Sequence, residues 1–317
     1  MAITCTPIQV FPTDTVGAFS FGVGYFGYVG CGWGGGWFGK CTNDFWRLNP
    51  FSGRWENMAP FPGTARMFAI AFGLKGKGYV GGGVFLSDDG VSVNELDDFY
   101  EYDPATDVWT SLGTMPGGTR AAGSAFTIGT VAYIGLGGNS AGNKSDFWKF
   151  DPDGLTKWTP IAAPFPGAAR AAAVAFNLHG KGIVGAGDDG SRHTHDFYQF
   201  DPATDTWTQI ADLPIDWLWG GVGFSLSGKG YVVTGRIDLK AWTTSVINNI
   251  WSLEITSAGS RWTELVDKEG QTLFLGQPRT SAVAFVINHN QVNKAYVGLG
   301  ESGTEFSEYS GFFEIAV

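Results

Sequence analysis

The segments KGYVGGG (77–83), DDFYEYDP (97–104) and WTSLGTMP (109–116) decide the fold, because each of them recurs along the chain. Markers within the first segment lie 51, 54, 50, 48 and 65 residues apart. These six markers are Tyr28, Tyr79, Tyr133, Ile183, Tyr231 and Tyr296. A repeat of about 50 residues with alternating apolar and polar positions predicts several short strands and no helix.

Each repeat contains four such strand segments. The second alternates aromatic and polar residues, the third runs from a Trp to a Pro, and the fourth is rich in small residues, as in RAAAVAF (170–176). Small residues suit a crowded strand beside a central axis, so four strands per repeat predict a β-propeller. The Asp that begins the aromatic pair recurs by repeat and is interpreted as structural: Asp44, Asp98, Asp146 and Asp196.

The two ends of the chain complement each other. The sixth repeat stops at Val317, before its Trp strand, whereas CTPIQVFP (5–12) aligns with WTPIAAPFP (158–166) and places Cys5 at the Trp position. We therefore expect the N-terminal strand to complete the last blade and to cover an edge that would otherwise pair with another chain.

The double glycine, the aromatic pair and the following Trp resemble the Kelch family over essentially the whole chain. The resemblance implies an all-β, six-bladed Kelch β-propeller with four antiparallel strands per blade, as in the central domain of galactose-oxidase-like proteins. We expect a single domain over residues 1–317, with approximate blades at 13–62, 63–116, 117–166, 167–214, 215–266 and 267–317 plus 1–12. Unit five departs from the pattern, with TG for the glycine pair.

Composition limits the partners. The formal charge is −10 over 317 residues and no basic stripe is present, which argues against nucleic acid. No apolar run is long enough to cross a bilayer, and Met1–Pro12 lacks the regions of a signal peptide. The repeat style is similar to bacterial Kelch proteins that are often exported or surface-attached. We expect that location, with the cytoplasm as the alternative, and a monomer.

Loops on one face of the propeller are the expected ligand site, because a rigid scaffold presents binding residues on loops. Candidate aromatic residues there are Trp33, Trp37, Trp219 and Trp242. A carbohydrate or peptide platform is one interpretation. The other is that large loops bury their own aromatic side chains.

An arginine precedes the innermost strand in four repeats, at Arg66, Arg120, Arg170 and Arg279. Thr15 and Leu218 occupy the equivalent positions in the other two. Equivalent positions in a closed ring point alike, so these guanidinium groups are predicted to surround the channel mouth and bind an anion or carboxylate. In the alternative interpretation, they brace adjacent blades.

Metal and cysteine chemistry have weaker support. His193 and His195 share one face of a strand and could meet one metal ion with Glu301 or Asp238, but a solvated polar loop is the default. Asp-Asp-Gly at 88–90 and 188–190 has too few alternating oxygen ligands for calcium. Cys31 and Cys41 flank one loop and form either a disulfide or two free thiols. We predict no cofactor and no metal.

The leading hypothesis is a non-enzymatic module that binds a carbohydrate, peptide or protein through this loop face and the channel mouth, with His193 and Glu301 among the ligand residues. The alternative follows from the resemblance to six-bladed sialic-acid mutarotases, which act through acid–base residues near an Arg-containing pore. It is an enzyme for a sugar or sugar acid, with Glu301, Glu305 and Glu308 as candidate carboxylates. A galactose-oxidase type of copper site is not expected, because no Tyr/His set is evident at the mouth.

Overall fold

The computed structural model describes residues 3–36, 39–87, 92–215, 217–239, 243–302 and 308–317. Its main strands form six antiparallel sheets. Blade 1 contains Phe19–Val23, Phe26–Gly30, Phe45–Asn49 and Arg54–Asn57. Blade 2 contains Ile70–Leu74, Lys77–Gly81, Asp98–Asp103 and Val108–Thr114. Blade 3 contains Ser124–Ile128, Val131–Gly135, Phe147–Phe150 and Trp158–Pro160.

The remaining blades follow the same order from the axis outwards. Blade 4 contains Val174–Leu178, Lys181–Gly185, Phe197–Asp201 and Thr206–Ile210. Blade 5 contains Val222–Leu226, Lys229–Leu239, Thr243–Thr256 and Gly259–Glu264, and Leu218–Trp219 pairs with the far end of its second strand. Blade 6 contains Val283–His289, Val292–Gly298, Phe312–Ala316 and the N-terminal strand Thr4–Pro7. The predicted six-bladed fold of four-stranded sheets is confirmed.

Short hairpins extend three of the loops after the second strand. These hairpins are Trp33–Gly34 with Lys40–Cys41, Val84–Leu86 with Val93–Glu95, and Gly138–Asn139 with Gly142–Asn143. Blade 5 differs from the other blades at residues 236–248, because its second and third strands continue as one long hairpin. The β-branched residues of this hairpin favour extended backbone. The pairing register of its two strands shifts between Val233 and Gly235, where Thr-Gly replaces the glycine pair of the repeat.

Closure of the ring is direct. Cys5 pairs with Ile315 in the sheet of blade 6, and the Phe11 N–H donates to the Ser310 carbonyl at 2.8 Å. The two ends of the chain thus share one sheet, which leaves no unpaired edge on Phe312–Ala316.

A repeated backbone hydrogen bond joins each blade to the next. In each blade the last glycine of the glycine motif donates its N–H to the carbonyl of the residue that precedes the innermost strand of the following blade. The pairs are Gly32 to Arg66, Gly83 to Arg120, Gly137 to Arg170, Gly187 to Leu218, Gly235 to Arg279 and Gly300 to Thr15. A Cβ on Gly187 would lie 2.6 Å from the Ala171 carbonyl oxygen, so glycine is required there for close approach of the backbones.

The apolar core lies between neighbouring sheets. Trp109 of blade 2, for example, packs edge-on against Phe61 and Phe45 of the preceding blade, with ring centroids 5.1 and 4.9 Å apart. Cys31 and Cys41 are buried and are not joined by a disulfide, and burial raises the pKa of Cys31 to about 12. Across the described ranges, no helix has the length and apolar character that a membrane crossing requires.

Candidate functional site

Six equivalent residues, one before each innermost strand, surround one end of the central channel. They are Gly17, Phe68, Ala122, Ala172, Gly220 and Ser281, and all have φ between 50° and 66°. Backbone hydrogen bonds between neighbours hold this left-handed conformation; the Ala172 N–H, for instance, donates to the Ala122 carbonyl at 2.7 Å. The cavity at this channel mouth measures about 230 Å³ and is bordered largely by glycine and alanine. Its polar chemistry must therefore come from adjacent loops.

The predicted circle of open guanidinium groups is not formed. Arg66, Arg120 and Arg170 are at most 1% exposed, and each binds the recurrent Asp of its own blade. Arg170 is representative: its Nη1 and Nη2 donate to the two carboxylate oxygens of Asp196 at 2.6 and 2.9 Å. Each guanidinium also donates to a backbone carbonyl of its own blade, so these side chains are structural, but their hydrogen bonds hold loops within one blade and do not brace adjacent blades.

Arg279 has no such carboxylate partner among the described residues. It is 2% exposed, and its Nη1 donates to the carbonyls of Leu299 and Gly311 at 3.0 and 3.2 Å. Burial lowers the pKa of Arg279 to about 10. Gly311 occupies the place where blades 1 to 4 carry the recurrent Asp, so a carbonyl replaces the carboxylate there.

Trp33 folds into its own loop, as the alternative interpretation of the aromatic loops proposed. Its backbone pairs with Val16, and its Nε1 donates to the Gly36 carbonyl at 3.1 Å. Trp37 and Trp242, the other two loop candidates, lie outside the described residues.

Trp219 and His193 come together beside the channel mouth. Trp219 borders the mouth cavity, and its indole stacks on the His193 imidazole with ring centroids 6.1 Å apart and planes 16° from parallel. The His193 Nε2 lies 3.4 Å from a carboxylate oxygen of Asp188. This contact places the His193–Asp188 pair against the indole face of Trp219 beside the mouth.

Arg236 and Glu301 continue the same group onto blades 5 and 6. Arg236 is paired with Trp219 in the sheet, and Glu301 is paired with Thr280, the neighbour of Ser281 at the mouth. Burial raises the pKa of the Glu301 carboxyl, and the nearby positive charge of Arg236 opposes that rise. We call His193, Trp219, Arg236 and Glu301 the mouth cluster.

Arg236 was missed by the sequence interpretation, which considered its neighbour Asp238 instead. The available signal was the departure of unit five from the glycine pair, since Arg236 directly follows Thr-Gly. The regular spacing of the arginines before the innermost strands drew attention to buried residues, whereas Arg236 lies where the repeat breaks down.

Glu308 joins blade 6 to the glycine loop of blade 1. Its carboxylate accepts hydrogen bonds from the N–H groups of Gly35 and Gly36 at 3.1 and 3.3 Å. Burial raises the pKa of Glu308, and these N–H donors oppose the rise. Glu305 lies outside the described residues. Within the part of the chain that the structure describes, no group of three or more His, Cys, Asp and Glu side chains is arranged to hold a metal ion.

Comparison with known proteins identifies the repeat. The family described as Kelch motif matches residues 186–214. The solved structure of YjhT superposes with a TM-score of 0.79 over 98% of this chain and 97% of that chain, at 18% identity, which is a likeness of fold. The chain is a six-bladed Kelch propeller.

Relatives of this propeller carry an enzyme name. The N-acetylneuraminate epimerase of Pasteurella multocida is 35% identical over 112 residues, which are 34% of this chain and 27% of that protein. The protein of the same name from Yersinia enterocolitica is 38% identical over 104 residues, or 32% and 26% of the two chains. The Kelch-like protein terF of Aspergillus terreus is 32% identical over 137 residues, or 39% and 29%.

These matches cover less than a third of each relative's own length. They nevertheless correct the leading hypothesis of a non-enzymatic binding module, because the epimerase name recurs among the similar proteins. The alternative, an enzyme for a sugar or sugar acid at the channel mouth, agrees better with them.

Proposed function

We propose that this Kelch propeller is an enzyme that interconverts the anomers of a sugar acid at the channel mouth. The observation that carries the proposal is the placement of Arg236 and the half-buried Glu301 carboxyl together beside the mouth cavity. Similarity to N-acetylneuraminate epimerases supports the substrate class, since that sugar carries a carboxylate.

Substrate binding is assigned to two members of the mouth cluster. The Arg236 guanidinium presents planar, paired donors that match a carboxylate. The Trp219 indole, which borders the mouth, offers a flat apolar surface to the carbon face of a sugar ring. Together they would bind the carboxylate of the substrate and orient its sugar ring.

Acid–base chemistry is assigned to the other two members of the mouth cluster, His193 and Glu301. Interconversion of anomers requires a proton on the ring oxygen as the bond to the anomeric carbon breaks, and removal of a proton from the anomeric hydroxyl. Glu301, whose pKa is raised by burial, supplies the acid, and His193 beside Asp188 accepts the second proton. The ring then closes on the opposite face with the two transfers reversed, so atoms and protons balance.

The test follows the approach of a single anomer of N-acetylneuraminate to equilibrium by proton NMR. We expect the wild-type protein to accelerate it, and Glu301→Gln to lower the protein-dependent rate by about 10²–10⁴-fold. Arg236→Gln should raise KM more than it lowers kcat, because it removes a contact made by the bound substrate.

Arg261→Ala is the matched control, because Arg261 lies on the outer strand of the same blade with its side chain 76% exposed. It should leave both constants unchanged. The proposal fails if the wild-type protein does not accelerate the exchange.

A further inference from the structure

A second cavity, of about 300 Å³, lies over blade 4. Its walls come from the loop 166–170, the loop 189–196 and Trp217. His193 also borders it, while its imidazole stacks on Trp219 at the channel mouth. The stacked pair of His193 and Trp219 therefore lies between the blade 4 cavity and the mouth cavity.

The residues that form this cavity depart from the repeat. His195 stands where blades 1 and 5 have Asn43 and Asn248, whose amides donate to carbonyls of the next loop; the shortest of these bonds is 2.6 Å. The imidazole does not reproduce this arrangement. Its Nδ1 is buried and has no hydrogen-bond partner among the described residues. A buried polar atom of this kind costs free energy until a partner pairs with it, and the imidazole that carries it borders the cavity.

Trp217 is the second departure. The residues immediately before the four buried arginines are small or medium in size: Ala65, Thr119, Ala169 and Pro278. Blade 5 instead places a half-buried indole there, with φ of 55°. A large side chain in the left-handed region is uncommon and is tolerated where the surrounding structure requires that orientation. The indole thus forms one wall of the cavity in place of a methyl group.

The charges around the cavity balance. Arg170 is bound to Asp196, and the Arg192 Nε lies 3.7 Å from a carboxylate oxygen of Asp189. The third titratable pair at the wall is His193 with Asp188. Two cations facing two carboxylates favour neither an anion nor a cation, but they offer donors and acceptors to hydroxyl groups.

We propose that the blade 4 cavity binds an uncharged hexopyranose ring, stacked on Trp217 and hydrogen-bonded to His195, to Arg192 and to the Asp189 and Asp196 carboxylates. Its volume is at the small end of the range for ligand cavities, which suits one ring. This site goes beyond the proposed activity and does not depend on it, because none of the groups that hold the ring belongs to the assigned acid–base pair.

The test uses lactose, maltose and cellobiose as probes, because each presents neutral hexopyranose rings of different stereochemistry. Binding to the whole chain is followed by saturation-transfer NMR and calorimetry. We expect at least one of the three to bind the wild-type protein, and Trp217→Ala to weaken that binding at least tenfold. Trp217→Phe should retain part of it, since an aromatic face remains.

His195→Asn is the second variant, because it installs the residue that blades 1 and 5 carry and is expected to preserve the fold. This variant should have the melting temperature of the wild-type protein and should bind the sugar more weakly. The proposal is overturned if none of the three disaccharides binds, or if Trp217→Ala and His195→Asn both bind with wild-type affinity.

Anomer exchange of N-acetylneuraminate, measured on the same preparations, separates this site from the proposed activity. Loss of disaccharide binding in Trp217→Ala with unchanged anomer exchange supports two separate sites. If the wild-type protein shows no exchange but still binds a disaccharide through Trp217, the proposed activity fails and the blade 4 site stands.

Discussion

At the scale of single residues, the buried arginines determine how the loops of this propeller are held. Arg170 binds Asp196, donates to the Ala186 carbonyl at 3.2 Å and to Thr194 at 2.7 Å, and lies over the Phe165 ring. A buried charge that is paired and hydrogen-bonded, as Arg170 is, is tolerated in the interior. Removal of one member of the pair leaves the other charge without its partner, which is costly.

Arg170→Ala should therefore lower the free energy of unfolding by about 3 kcal/mol, at the low end for a buried pair because Asp196 is 23% exposed. Urea unfolding measures this. Arg170→Ala combined with Asp196→Ala should recover part of the loss, since the unpaired carboxylate is removed. An Arg170→Ala protein as stable as wild type would show that the pair contributes nothing.

Asp196 gives the pH dependence a definite sign. Arg170 holds the pKa of this carboxyl below its ordinary value of about 3.9, even though burial opposes the shift. Its contribution is complete above about pH 4 and is lost as the pH falls through the lower folded-state pKa. We expect Asp196→Asn to be less stable than wild type at pH 6, and the difference to shrink at pH 3. A difference that grows on acidification would contradict this.

The pKa of Glu301 is shifted in the opposite direction to that of Asp196. Burial raises its folded-state pKa, so ionisation of the carboxyl destabilises the folded state as the pH rises through that value. Glu301→Gln should consequently raise the melting temperature at pH 8, with little change at pH 4, while it reduces anomer exchange. Thermal scans at the two pH values test this. A lower melting temperature at pH 8 would mean that Glu301 is a structural carboxylate.

These residues also show what the sequence could predict. The positions of the arginines and of the recurrent Asp were evident from the repeat, yet their contact was not. Arg66 and Asp98 are 32 residues apart and meet only because the third strand of the blade returns beside the loop before the first. Arg236 was missed because it lies outside the repeated pattern, where periodicity carries no information.

At the scale of strands, the outer Trp strand fastens each blade to the one before it. The Trp109 Nε1 donates to the Ala59 carbonyl at 3.1 Å, and Trp55 and Trp262 make equivalent bonds to Gln9 and Ala211. Trp207 packs similarly on Phe147 and Phe165, but its Nε1 has no hydrogen-bond partner among the described residues. The outer strand thus combines packing with one hydrogen bond in some blades and packing alone in another.

This contrast supplies a prediction with an internal control. Trp109→Phe should lower the free energy of unfolding by about 1 kcal/mol more than Trp207→Phe, because only the first substitution removes a hydrogen bond and leaves a carbonyl unpaired. Urea unfolding of the two variants gives the comparison. Equal losses would mean that packing, and not the indole N–H, accounts for the role of the strand.

The strands of blade 5 mark the limit of the sequence analysis at this scale. The four-strand unit was predictable because aromatic alternation and turn residues recur together. The hairpin that prolongs Lys229–Leu239 and Thr243–Thr256 was not, because its β-branched residues lie in a segment that the repeat assigned to a loop. The same hairpin places Arg236 beside Trp219, so the least regular blade provides the mouth cluster.

At the scale of the whole molecule, the ring depends on one blade that is assembled from both ends of the chain. The Gly300 N–H completes the inter-blade series with the Thr15 carbonyl at 3.1 Å. Phe11 anchors the N-terminal strand in a pocket formed by Trp46, Trp55 and Phe312. Closure is therefore held by side-chain packing as well as by the sheet.

Phe11 and Phe61 occupy equivalent Phe-Pro positions, and their N–H groups make equivalent bonds to Ser310 and Asn43. Phe11→Ala and Phe61→Ala should each lower the free energy of unfolding by about 3–5 kcal/mol. The two variants should differ in which part of the molecule unfolds locally. Loss of Phe11 loosens the outer strand of blade 6, so amides of Thr4–Pro7 and of its sheet neighbour Phe312–Ala316 should exchange with solvent faster.

Exposure of that edge should also make Phe11→Ala more prone to self-association than Phe61→Ala at equal stability, because an unpaired strand is a template for another chain. Hydrogen exchange with peptide resolution and sedimentation velocity measure the two effects. If both variants exchange alike in blade 6 and remain equally monomeric, the N-terminal strand is not the weak point of the ring, and the six inter-blade glycine bonds suffice to keep it closed.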